Sequence, residues 1–339
     1  MLQALRHISS RPRGLQSCQY TTPSAQNSIY ISNSTNPYFN LTFEDWLFRH
    51  KAAEEPLLLI YRDDPCIVVG RNQNPWKEIN FRALRERPGV PFIRRRSGGG
   101  TVYHDLGNTN FSIHLPRTEF DRRVTAQIVL RAVRSLGIGA RVNERNDICV
   151  GKDKISFCHQ HGDLLRTNKN QETMITRGVA SVRSPVCNLR QFSTIVTHDS
   201  FTEAVVDEFR KEYGIFTPAQ VVNETDDLKS IEYIQKGMGE LPSWDWAYGQ
   251  TPEFTYTVHR TFDWGKAMAE FNSKHGVIKQ CTLNISDSKL NDSDMGAVME
   301  LGRLLEGQRY GFLKDKWSTQ EEAGPRRDVF TWIDEIVYT

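Results

Sequence analysis

Arg94-Arg95-Arg96-Ser97-Gly98-Gly99-Gly100-Thr101-Val102-Tyr103-His104-Asp105-Leu106-Gly107-Asn108-Thr109-Asn110 is the densest chemical signal in a chain of 339 residues. Three consecutive glycines lack Cβ atoms and let the backbone come close to a ligand. Their N–H groups can converge on an anion. The three arginines just upstream add fixed charge and two-pronged donors suited to phosphate or carboxylate. Val90 to Arg95 reads as a strand, so the loop falls at a sheet end, where ligands often bind. The spacing is neither a Walker loop nor GxGxxG, which disfavours a standard nucleotidase or dinucleotide fold. A glycine triplet alone is also the composition of a flexible turn; the polar residues around it favour a ligand. His104 and Asp105 read as structural partners of the loop. Asn108 and Asn110 either bind ligand or cap a turn.

Working outward, Ser28 to Ser32 reads as a short strand. A helix follows from Asn40, with Asn40 as its cap and Phe43, Trp46 and Leu47 on one face. Leu57 to Tyr61 and Cys66 to Gly70 are apolar runs joined by Arg62-Asp63-Asp64-Pro65, and they read as neighbouring strands. Asn110 to Leu115 is another strand. Val124, Ile128, Val129, Ala132, Val133 and Leu136 repeat at helical spacing, with Gly137 as the stop. Ser200-x-x-Glu203 reads as a capping box that opens a helix carrying Phe201, Val205, Phe209 and Tyr213 to Gly214. The mixture predicts an α/β core over 28–217. Residues 218–252 are mostly polar and read as an irregular connection. Beyond it, Phe254, Tyr256 and Val258 alternate, as do Val277, Cys281, Leu283 and Ile285 around polar residues. Met295 to Leu305 has helical spacing. A small α/β unit is therefore expected over 253–339.

Composition sets the context. No run of roughly 18 apolar residues is present, so no transmembrane helix is expected. The formal charge of +2 gives no sign of a nucleic-acid binder. The first acidic residue is Glu44, and the preceding stretch carries Arg6, Arg11 and Arg13 among several serines. Arg-rich, Ser-rich and acid-free is the pattern of a mitochondrial transit peptide, expected here over residues 1–27. Without those arginines the chain holds 40 basic and 41 acidic residues, so the basic excess belongs to the address. The six cysteines form no CxxC pair, and a zinc site is not expected. A reducing compartment then demotes the Asn-x-Ser/Thr matches at Asn33, Asn40, Asn223, Asn284 and Asn291 to chance. Cys158-His159-Gln160-His161 offers metal-ligand types, but no second ligand pair accompanies it.

RRRSGGGTVYHDLGNTNFS resembles the signature of the lipoate-protein ligase A family and its mitochondrial lipoyltransferase relatives. Other stretches match in the same order. They include Asn36-Pro-Tyr-Phe-Asn-Leu41 with Glu44, Val69-Gly-Arg-Asn-Gln-Asn-Pro-Trp-Lys-Glu78, Arg145-Asn-Asp147, Lys154-Ile-Ser156, and Ser181-Val-Arg-Ser-Pro-Val-Cys-Asn-Leu189. Ser243-Trp-Asp-Trp246, Tyr248-Gly249 and Phe262-Asp-Trp264 continue the likeness to about residue 310. The resemblance implies a biotin/lipoate-protein ligase (class II synthetase-like) catalytic domain with a mixed sheet, and a small α/β accessory domain. It implies ATP and lipoate as substrates, Mg²⁺, and lipoyl-AMP as intermediate. The acceptors would be lysines on lipoyl domains of 2-oxoacid dehydrogenase complexes and on the glycine cleavage H protein. A monomer in the mitochondrial matrix is expected.

Carried over by position, the resemblance gives Arg95 the nucleotide phosphate. Gly100, Thr101, Val102 and Tyr103 wrap the adenylate with backbone donors. Lys154 bridges the lipoate carboxylate and the α-phosphate. Arg71 and Asn74 shape the acyl pocket, with Ser97 and Asn108 as further pocket or orienting residues. Asp147 orients the incoming lysine or Mg²⁺. The chain departs from the family just after Lys154. Members continue as KISG or KxSGSAY into a His-His-Gly strand, whereas this chain reads Lys154-Ile-Ser-Phe-Cys-His-Gln-His-Gly162 and its SVRS stretch arrives early. That departure leaves open a lipoyl or octanoyl transferase that cannot activate free lipoate, or a non-catalytic binder of lipoyl domains.

Overall fold

A computed structural model describes residues 27–155, 164–165, 172–182, 186–313 and 324–338. Its first sheet contains β1 (Ile29–Ser32), β2 (Leu57–Tyr61), β6 (Asn110–His114) and β12 (Gln220–Val222), in the order β12-β1-β2-β6. β1 runs parallel to both neighbours, while β6 is antiparallel to β2, with Tyr61 opposite Asn110. All five residues of β2 are buried because both faces of this sheet are covered. Leu58 and Ile60 point into a core with α4 (Arg122–Ser135) and α5 (His198–Tyr213). Leu57, Leu59 and Tyr61 point the other way, toward α1 (Pro37–His50).

The second sheet has the order β4-β3-β5, built from β3 (Cys66–Val69), β4 (Phe92–Arg94) and β5 (Val102–His104). β2 and β3 were expected to be neighbours, and they are not. The Arg62–Pro65 turn carries the chain from one sheet to the other. β2 pairs with β1 and β6, and β3 with β4 and β5. A third sheet, β11-β9-β8-β7, joins β7 (Arg141–Val142), β8 (Ile148–Val150), β9 (Asp153–Ile155) and β11 (Val186–Cys187). The β8–β9 hairpin turns at Gly151, whose φ of +61° favours glycine, and sets Cys149 opposite Lys154.

Helix starts differ from the expected ones for local reasons. Asn36, not Asn40, caps α1: its side chain accepts from Tyr38 N at 3.0 Å, with Pro37 following. Asn40 is fully buried one turn inside. It donates to Ser34 O, Arg62 O and Asp63 Oδ1 at 2.9, 3.0 and 2.9 Å. α5 begins at His198, capped by Thr197 in a reciprocal box with Ser200, so the box expected at Ser200–Glu203 starts too late. It ends at Gly214, at φ +64°.

The stretch 218–252, expected to be irregular, carries β12, α6 (Asp226–Ser230), α7 (Glu232–Glu240) and α8 (Trp244–Ala247). β12 extends the first sheet beside β1. A Cβ on Gly237 would stand 2.4 Å from Thr42 Cγ2, so α7 lies tight against α1. The last sheet is antiparallel, in the order β10-β13-β14-β15. It is formed by β10 (Met174–Thr176), β13 (Phe254–Phe262), β14 (Gly265–Lys274) and β15 (Val277–Ser286). α9 (Asp292–Leu305) and α10 (Pro325–Tyr338) share its core through Leu301, Leu305, Trp332 and Ile333. Trp76 from the short helix α2 (Pro75–Glu78), which precedes α3 (Phe81–Arg85), enters the same core.

Candidate active site

The triple-glycine loop leaves β4 and enters β5, and Gly70 at the end of β3 makes room for it. A Cβ on Gly70 would stand 1.9 Å from Gly99 O. Arg71 N donates to Ser97 O at 2.9 Å and fixes the start of the loop. Arg95 curls back over the loop and donates to Gly98 O at 2.6 Å and to Gly100 O at 2.8 Å. Ser181 and Gln73 hold its far end. Thr101 N donates to Ser181 Oγ at 2.9 Å, and Thr101 Oγ1 to Gln73 Oε1 at 2.8 Å. Gln73 is fully buried and also accepts from Gly70 N at 2.9 Å. Six glycine and polar groups thus define one loop conformation, with Ser97, Gly98 and Gly99 left exposed.

A cavity of 580 Å³ opens beside this loop. Val102, His104 and Asn108 line it from the loop side, and Asp147 and Lys154 from the third sheet. Phe111, Ile113, Val129, Val133 and Phe201 form an apolar wall. Lys154 Nζ meets Asp147 Oδ1 at 2.7 Å, and Arg145 Nε stands 4.0 Å from the other carboxylate oxygen. Burial alone would raise the Asp147 pKa. The hydrogen bond and charge of Lys154, with Asn143 and Arg145, outweigh burial and hold the carboxyl below its usual range. The result is a cation and an ionised carboxylate in the lining of a cavity that has one apolar wall.

A second polar layer supports β6. Glu44 accepts from Ser112 Oγ at 2.8 Å and Tyr61 OH at 3.0 Å. Burial pushes the Glu44 carboxyl up, against those hydrogen bonds and the nearby Arg95 charge. Burial likewise lowers Arg95, opposed by Tyr61 and Glu44. The Ser112 hydroxyl is committed to Glu44, so His114 Nε2, 2.8 Å away, is the donor to Ser112 Oγ. Burial lowers His114 to about 4. Asp63 and His104 form a buried pair at 2.8 Å.

Of the residues singled out in the sequence, Lys154, Asp147, Val102 and Asn108 meet at the cavity. Arg95, Ser97, Gly100 and Thr101 belong to the adjoining loop. Tyr103 buries its ring with Ile67, Val69 and Ile79, leaving only backbone to the loop. Asn108 Nδ2 donates to Asn110 Oδ1 at 2.7 Å. Arg71 and Asn74 do not line the cavity. Asn74 is buried and caps α2 by accepting from Trp76 N at 3.0 Å. Arg71 lies over the Trp246 ring at 4.1 Å. Gln73 and Ser181, which hold the far end of the loop, carry no individual signal in the sequence, although each falls inside a family motif. Cys158, His159 and His161 lie outside the described residues. Among the described residues one group could hold a metal, Asp63 with Cys66 and His104, and its carboxylate is already bonded to His104 and to Asn40.

Comparison with known proteins agrees with this geometry. Residues 36–163 match the lipoyl protein ligase A/B catalytic domain. Lipoate-protein ligase A of Psychrobacter cryohalolentis is 34% identical over 280 residues, which is 75% of this chain and 82% of that protein. The structure of P. falciparum LipL1 in complex with lipoate superposes with a TM-score of 0.53 at 24% identity, covering 90% of this chain and 98% of that one. A lipoate-protein ligase A bound with ATP gives 0.51 at 21% identity over 65% of this chain and 96% of the other. A bi-partite lipoate protein ligase from Thermoplasma acidophilum, studied with its E2 lipoyl domain, gives 0.53 at 21% over the same shares of 65% and 96%. The solved structures establish a shared α/β fold with mixed sheets. With the sequence relative and the loop, cavity and lysine above, they lead to one conclusion: the chain belongs to the lipoate-protein ligase A family of enzymes.

Proposed function

We propose that the protein activates lipoate with ATP and transfers the lipoyl group to a lysine of a lipoyl domain. One observation carries this reading: a lysine–aspartate pair lines a cavity with one apolar wall that adjoins the glycine loop through Val102. An apolar acyl chain fits the wall of Phe111, Val129 and Phe201, and its carboxylate fits Lys154. In the first step a carboxylate oxygen bonds to the α-phosphorus of ATP. The bond to the bridging oxygen breaks, and its electron pair leaves with pyrophosphate. Lys154, Arg95 and the backbone N–H groups of Gly100, Val102 and Tyr103 hold the anionic groups together, with the Thr101 N–H kept by Ser181 Oγ, which suits electrostatic and positional catalysis. In the second step the neutral acceptor amine attacks the acyl carbon, the acyl carbon–oxygen bond breaks with its electron pair leaving on AMP, and the amine's proton passes to solvent. A carboxylate kept ionised, as Asp147 is, makes a poor proton acceptor and a good orienting partner for an ammonium.

Mg²⁺ suits the same reading. The Asp63, Cys66 and His104 group contains a thiol and does not fit a hard cation. Asp147 offers a carboxylate to an ion held chiefly by phosphate oxygens. The acceptors are taken to be lipoyl domains of 2-oxoacid dehydrogenase complexes and the H protein, and the compartment the mitochondrial matrix. Two assays test the function. Lipoate-dependent exchange of pyrophosphate into ATP is expected, as is a lipoyl mass gain on a lipoyl domain. Transfer from supplied lipoyl-adenylate without exchange would reduce the protein to a transferase, and neither activity would leave a binder. A fluorescent reporter carrying Met1–Asn27 is expected in mitochondria; a diffuse cytosolic signal would refute the address.

A further inference from the structure

Two arginines stack against the ring of Trp246, and they differ in how their charges are balanced. Arg96 lies 4.7 Å from the ring, pairs with Glu240, and stands 3.4 Å from Asp45. Arg71 lies 4.1 Å from the same ring and forms no ion pair among the described residues. Its Nη1 is buried without a hydrogen-bond partner. Burial lowers the Arg71 pKa, and the like charge of Arg96 adds to that, with Glu240 opposing. A buried guanidinium nitrogen left unbonded is costly, so its retention beside a second cation calls for an anion that comes and goes. The position of Arg71 indicates which anion. Its backbone N–H holds Ser97 O at the exposed start of the glycine loop.

We propose that Arg71, stacked on Trp246, is a positioning residue for the outer phosphates of ATP and receives the pyrophosphate that leaves in the first step. The inference rests on the ligase reading above and adds to it. With the α-phosphate between Lys154 and the Gly100 end of the loop, the β- and γ-phosphates extend over the exposed Gly98 and Gly99 toward Arg71. When the α-phosphorus–oxygen bond breaks, the bridging oxygen keeps the electron pair, and the growing charge lies near the unbalanced cation. Arg96 has carboxylate partners already and contributes less. Stacking on Trp246 fixes the guanidinium plane and spares ordering cost when the anion arrives. Adenylate transfer contains no outer phosphates, so it draws on Arg71 little.

Arg71→Met keeps an unbranched apolar side chain over Trp246 and removes the charge; Arg71→Lys keeps the charge and loses the planar fork. Inorganic pyrophosphate binding by calorimetry is the primary readout. The natural chain is expected to bind it, Arg71→Met about tenfold or more weakly, and Arg71→Lys in between. The KM for ATP should rise in the same order, with the KM for lipoate held. The ratio of adenylate formation to transfer from supplied lipoyl-adenylate should fall at least fivefold in Arg71→Met. Equal pyrophosphate affinity in all three chains would overturn the proposal, as would parallel loss of both half-reactions, which marks a merely structural stack. A natural chain that binds pyrophosphate through Arg71 yet makes no adenylate would refute the ligase reading while supporting the phosphate site.

Discussion

Removing the Lys154 ammonium takes away the cation that meets Asp147 at 2.7 Å in the cavity lining, where Arg145 stands 4.0 Å from the same carboxylate and Arg122 lies on α4. Lys154→Ala is expected to raise the barrier to adenylate formation by about 3 kcal/mol, on the order of a hundredfold in rate. The same change should move the Asp147 carboxyl upward, since Lys154 is what outweighs its burial. Carboxyl NMR titration and single-turnover kinetics read the two effects, and activity within twofold of the parent would remove Lys154 from the mechanism. His114 gives a second prediction. The unfolded chain protonates this ring near 6.5, the folded one only near 4. Its contribution to stability is complete above about pH 6.5 and is lost as the pH falls toward 4, because the unfolded state takes up the proton first. His114→Gln should therefore lose less melting temperature between pH 7 and pH 5 than the parent; equal losses would contradict the burial argument. Lys154 itself was legible only through its motif, since an isolated lysine beside Lys152 carries no periodic or spacing signal. Gln73 and Ser181 were not separately legible, because their contact spans 108 positions of sequence and no local pattern encodes it.

The element that answers most directly to a single atom is the loop after β4. Gly70→Ala places a methyl group against the Gly99 carbonyl, which is backbone and cannot swing away. The loop must shift, at a cost of about 1–3 kcal/mol for overpacking of this kind. Loss of nucleotide binding should exceed the loss of stability; a variant with parental ATP affinity would show that the loop tolerates displacement. Secondary structure was most legible where apolar spacing was strong, as in α4 and β2. It was least legible at helix starts, where Asn36 and Asn40, or Thr197 and Ser200, offer equally plausible caps one turn apart, and tertiary partners decide between them. β14 escaped because its inward residues include Ala267, Ala269 and Ser273, which are too small to stand out as an alternating pattern. β12 and α6 to α8 were hidden by polar outer faces, while Val222, Leu228, Ile234 and Trp246 fill the core beneath.

At the scale of the molecule, the C-terminal sheet is stitched into the rest. β10 pairs with β13, setting Met174 opposite Tyr256, and the Trp76 ring packs 4.9 Å from that of Tyr310. A chain ending at Pro252 should therefore expose Trp76 and unpair β10, and is expected to melt lower and to be cut by protease near residues 174–176. An unchanged melting temperature would show that the C-terminal unit is dispensable for the catalytic part. One further feature concerns the order in which the chain is made. Among the described residues β1 precedes every other strand in the chain, yet it lies inside its sheet, and Tyr30 pairs with Gln220. At about 5–20 residues per second, that partner appears roughly 10–40 s later. For that interval one edge of β1 presents unpaired N–H and C=O groups beside Ile29 and Tyr30, the template on which a second nascent chain could add. Ribosome-associated chaperones that shield β1 should therefore raise soluble yield more than agents acting after release.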